Sequence, residues 1–123
     1  AASIKFVFSG RPVVDVCRAL QDISSGKHAV SKCIELIRQG DYSDLLNEQN
    51  IIGKVLKRLP KGWNVRRRGD YLIFDGRDVS PERIQSDVVS WLTPIAYAVT
   101  GRPVIGPESL AGRMRISVPW PRN

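Results

Sequence analysis

Between Lys54 and Asp70 the chain reads KVLKRLPKGWNVRRRGD, with seven Lys or Arg residues before the first acid. Lys54, Lys57, Arg58, Lys61, Arg66, Arg67 and Arg68 can all bind anions, the ammonium as a point charge and the guanidinium as a planar fork that fits phosphate. Like charges this close repel one another, and a bound polyanion turns that cost into affinity by releasing counterions. Tyr71 follows directly and could stack on a base or ribose. Asn50, shortly before the run, is the residue type that reads adenine, as Arg reads guanine.

Catalytic chemistry has one candidate. FDGRDVSPE holds Asp75, Asp78 and Glu82 just after a strand, where carboxylates beside a basic surface could hold Mg²⁺ for phosphodiester cleavage. Asp75-Gly76 is also ordinary turn chemistry, and an acid in a first helical turn such as Glu82 complements the helix dipole. The single histidine, His28, reads as a capping or surface residue. Cys17 and Cys33 have no ligand partners at zinc spacing. No P-loop, dinucleotide-binding glycine pattern or G-x-S-x-G elbow is present, and no cofactor is implied. Arg68-Gly69-Asp70 spells an adhesion-type tripeptide but reads most simply as a turn.

The elements that must position these residues follow from periodicity. The 123 residues suit a single domain, 1–123, and 42% hydrophobic with 25% charged residues is ordinary for a globular chain. The formal net charge of +7 is not ordinary and favours polyanionic partners. SIKFVFSG alternates as a strand. Pro12 opens a helix with Val13, Val16, Cys17, Leu20 and Ile23 as its stripe, and a second helix carries Val30, Cys33, Ile34 and Ile37 up to Gly40. Both cysteines lie on apolar faces, as buried free thiols do. DYSDLL suits a short helical segment. Asn47 caps the next helix, with Ile51, Ile52, Val55, Leu56 and Leu59 buried and Lys54, Lys57 and Arg58 outward.

Strands at 63–68 and 71–75 flank Gly69-Asp70, a pair suited to a II′ hairpin turn. Alternation places Trp63, Val65, Leu72 and Phe74 on a core face, Arg67 at its rim, and Asn64, Arg66, Arg68, Tyr71 and Ile73 on the other face. Ser80-Pro81 starts a helix striped by Ile84, Val88, Trp91, Leu92, Ile95 and Val99, which Pro94 should kink or end early. SWLTPIAYAV is apolar nearly all round and suits deep burial or a subunit interface. A Gly/Pro-rich loop over 101–112 precedes a last strand, RMRISVPW, and the terminal VPWPRN could dock into a neighbour.

The expected fold class is α+β, with several helices packed on a small antiparallel sheet. A basic helix followed by a basic hairpin, over 41–76, is the order of a winged helix-turn-helix. The leading reading is a non-enzymatic DNA- or RNA-binding domain whose phosphate contacts come from Lys54, Lys57, Arg58, Lys61, Arg66, Arg67 and Arg68. The order of pieces also resembles rhabdovirus matrix proteins over about half the chain: an N-terminal strand, a helix ending near SGKH, a basic hairpin and a final strand. The helix at 81–99 has no place in that pattern. The resemblance implies a viral protein that forms homo-oligomers on an anionic membrane surface or a nucleocapsid. With no leader or apolar span in view, the expected location is intracellular, in cytoplasm, nucleus or nucleoid.

Overall fold

The computed structural model describes residues 12–24, 29–40 and 43–122. The strand read at SIKFVFSG and His28 lie outside the described residues. α1 (Val13–Ser24) begins where the Pro12 carbonyl accepts from Asp15 and Val16. Its Val16, Cys17, Leu20 and Ile23 are buried at helical spacing, and Cys33 of α2 (Val30–Arg38) is buried with them. Ser43–Leu46 form a turn rather than the short helix expected there, and Leu45 and Leu46 drop into the core. Asn47 then caps α3 (Glu48–Leu56), its side chain accepting from the Gln49 N–H at 2.9 Å.

β1 (Asn64–Arg68) and β2 (Tyr71–Gly76) pair antiparallel, Arg68 opposite Tyr71 and Val65 opposite Phe74. Of the two turn residues only Gly69 has positive φ, at +60°, which is the II′ arrangement. Ser80 accepts from Arg83 N–H and Pro81 sits in the first turn, as expected. α4 (Pro81–Ile84), a π-helical turn (Gln85–Val89) and α5 (Ser90–Thr100) run on as one helix. Pro94 neither ends it nor shortens it. Helix loses one N–H there, but the apolar stripe from Leu92 to Val99 keeps the last turns packed on the core. Gly101, at φ +74°, supplies the left-handed stop.

The chain closes with β3 (Ile105–Leu110) and β4 (Arg113–Pro119), giving a four-stranded sheet in the order β1-β2-β4-β3. The 101–112 stretch is therefore half strand, not loop. The hairpin does not stand free as a wing: β2 pairs along its whole length with β4, and the Trp120 N–H bonds the Asp70 carbonyl in the turn itself. Helices and sheet share one core, which on the sheet side comprises Trp63, Leu72, Phe74, Met114, Ile116, Val118 and Trp120. Trp120, in the terminal VPWPRN that the sequence left between docking and burial, is wholly buried, because β4 carries it inward and its indole N–H finds the Leu46 carbonyl at 2.9 Å. No helix among the described residues is long and apolar enough to cross a membrane.

Candidate nucleic-acid interface

Strand alternation turns one face of the sheet to the helices and the alternate residues to the opposite, outer face. Across β1, β2 and β4 the rows on this face run Arg66, Ile73, Ser117; Arg68, Tyr71, Pro119; and Asn64, Asp75, Arg115, with Glu108 of β3 opposite Arg115. Arg113 is one same-face step along β4 from Arg115. This outer face thus gathers Arg66, Arg68, Arg113 and Arg115 around Tyr71, Ile73 and Asp75. Ile73 is only 7% exposed although it stands outside the main core cluster, and Ser117 and Pro119 on the same face are buried as well.

Charge on this face is only partly matched. Arg113 bonds the Asp75 carboxylate at 2.7 Å. That bond, reinforced by the nearby Arg66 and Arg115, holds the Asp75 carboxyl below its usual range against the opposing effect of burial. Arg66, Arg68 and Arg115 make no hydrogen bond or ion pair with any described residue. Neither does the Tyr71 side chain. Arg113 and Arg115 were missing from the sequence-read site, yet the alternation RMRIS, with Met114 and Ile116 inward, marks them as outward residues.

Arg67 is different from its neighbours. It points to the core side, where its guanidinium bonds Glu48 at 2.7 Å and the Trp120 carbonyl at 2.7 Å, with weaker bonds to the Gly69 and Pro121 carbonyls. Its side chain is 16% exposed. This arginine ties the start of α3 to the hairpin and the C-terminal strand, and has little left for phosphate.

The remaining sequence-read residues lie on the helical side. Asn50 is half-buried and its amide donates to the Asp44 carbonyl at 3.3 Å. Lys54 is half-buried; Lys57 and Lys61 are exposed, and none of the three has an ion pair among the described residues. Arg58 lies 3.9 Å above the Trp91 ring, a cation–π contact. Lys57 and Arg58 line a groove of about 430 Å³ with Pro60, Asp78, Ser80 and Arg83. Arg83 is bonded to Asp87 at 3.2 Å, so the groove's cations are largely engaged or matched. The structure therefore splits the seven-cation run in two, and of it only Arg66 and Arg68 lie on the outer sheet face.

No family model, curated protein or solved structure matches the chain. Its function must be read from the geometry.

The three acids of FDGRDVSPE do not converge. Asp75 faces Arg113, Asp78 is an exposed residue at φ +69°, and Glu82 is exposed in the first turn of α4. Among the described residues no three His, Cys, Asp or Glu side chains form a group that could hold a metal ion. Cys17 and Cys33 are buried and unbridged. Burial pushes the Cys17 thiol up to about 11 and raises Cys33 as well, while Gln21 donates to the Cys33 sulfur at 3.3 Å.

Proposed function

We propose that the protein is a non-enzymatic nucleic-acid-binding domain that holds phosphates on the open face of its sheet. The observation that carries this reading is the trio Arg66, Arg68 and Arg115, which share one face with no bonded acid among the described residues. Three guanidiniums without a close ion pair on one face, even with Asp75 and Glu108 nearby, on a chain of net charge +7, create a potential that draws a polyanion and gives it forked donors to bind. Arg113 joins them to the extent that Asp75 releases it. Lys57 and Lys61 extend the attraction around the helical side without shaping the site.

The test is a binding titration against DNA and RNA over a range of salt. Four phosphate contacts give a log–log slope of roughly −3 to −4. Weak, salt-insensitive binding to every nucleic acid, with tight binding to anionic vesicles or self-association instead, overturns the reading.

A further inference from the structure

Resting on that reading, we infer that the open face takes unpaired rather than duplex nucleic acid, with a base stacked on Tyr71. The register sets Tyr71 between Arg68 on β1 and Pro119 on β4, and Ile73 between Arg66 and Ser117. Tyr71 is thus bordered by Arg68 and, one row along, Arg66 on β1, about one strand spacing away, while Arg115 on β4 lies two rows further on, beside Asp75. Phosphates fit the β1 arginines and a base fits the half-buried Tyr71 ring, since Ile73 is only 7% exposed and offers no stacking face. The Tyr71 ring is half-buried, and neither its hydroxyl nor its ring has a partner among the described residues, although a Tyr hydroxyl in such a place normally finds one.

A duplex cannot use that ring. Its base faces are stacked inside, and its edges are reached only through the grooves. The major groove, about 12 Å wide, admits a helix or a two-stranded ribbon. Four strands span about 14 Å from edge to edge before side chains are counted. Nor can the hairpin enter alone, since β4 pairs along β2 and Trp120 bonds the turn. A duplex would touch the arginines through its phosphates only. A single strand offers both its phosphates and its base faces, and base–aromatic stacking is tolerant of sequence.

Fluorescence anisotropy decides this, using a labelled single strand of about 12 nucleotides and the duplex of the same sequence. The wild type should bind the single strand more tightly. Tyr71→Leu, which keeps an apolar strand residue, should weaken single-strand binding about 5- to 150-fold and leave duplex binding unchanged. Tyr71→Phe should bind the single strand as the wild type does. Should Tyr71→Leu fail to fold in a thermal melt, Tyr71→Trp replaces it and should bind the single strand at least as tightly as wild type. Duplex bound as tightly as single strand, equal losses on both polymers with Tyr71→Leu, or weakened binding with Tyr71→Trp overturns the inference and leaves the phosphate-binding reading standing. Absence of binding to either polymer at low salt overturns that reading too.

Discussion

Arg67 and Glu48 meet at 2.7 Å across the seam between β1 and the first turn of α3, and the same guanidinium reaches the Trp120 carbonyl. The middle arginine of the Arg66-Arg67-Arg68 triplet is therefore a strut between three parts of the chain, while its two neighbours face outward. Strand alternation produces the division, and it separates one bonded, inward arginine from two outward ones within three consecutive residues.

Arg67→Gln should lower unfolding free energy by about 2 to 3 kcal/mol, because it breaks charge-assisted bonds and strands half-buried carbonyls. Arg66→Gln and Arg68→Gln should each stay within about 0.5 kcal/mol of wild type, as exposed substitutions do. Urea denaturation of the three variants checks the contrast. Equal stabilities across all three would show that the Arg67 bonds contribute nothing net.

Binding should show the reverse order. Arg66→Glu with Arg68→Glu should lower nucleic-acid affinity at least tenfold and flatten the salt slope by about 2, one for each lost phosphate contact. The melting temperature should barely move. A collapse in melting temperature with the affinity loss would make these arginines structural instead.

Much of this architecture is written in local chemistry. The Asn47 cap, the Gly69-Asp70 turn and the Ser80-Pro81 helix start are each set by a residue and its immediate neighbours, and the structure has them where the sequence places them. β3 is not local. Gly106, Pro107 and the register shift between Ile105 and Glu108 hide its period, and only pairing with β4 makes it a strand. The site is divided in the same way. Arg66, Arg68 and Tyr71 follow from hairpin alternation, but Arg115 joins them only because β4 inserts beside β2, a pairing that strand order decides and local sequence does not.

Gly76 shows how tightly the two halves of the hairpin close. A methyl group there would sit 2.4 Å from the Trp63 ring, whose N–H bonds the Arg77 carbonyl at 3.0 Å. Gly76→Ala should therefore cost about 1 to 3 kcal/mol by displacing the indole, despite the gain in backbone rigidity that alanine usually brings. Chemical denaturation, with tryptophan fluorescence as the probe, reads both the cost and the shift of Trp63.

The buried thiols should be silent in the folded protein. With Cys17 pushed up to about 11 and Cys33 raised as well, neither carries appreciable thiolate between pH 7 and 8. Ellman's reagent should label neither of them until denaturant is added, and then both. Fast labelling of the native protein would mean that the seam between α1 and α2 opens readily.

On the proposed function, Asp75 should couple stability to binding with opposite signs. Its carboxyl is held below the usual range by Arg113, so the charged form stabilises the fold above the unfolded-state value near 4. That contribution is lost as pH falls through the folded value. Asp75→Asn should cost about 1 kcal/mol at pH 7, and its stability should converge with wild type on acidification below about pH 4. The same change removes a negative charge from the middle of the open face and frees the Arg113 guanidinium, so affinity for nucleic acid should rise and the salt slope should steepen by about 1. A variant less stable yet tighter-binding is what a carboxylate that restrains a phosphate-binding arginine must give. Loss of both stability and affinity would instead mean that Asp75 holds Arg113 in the position from which it binds.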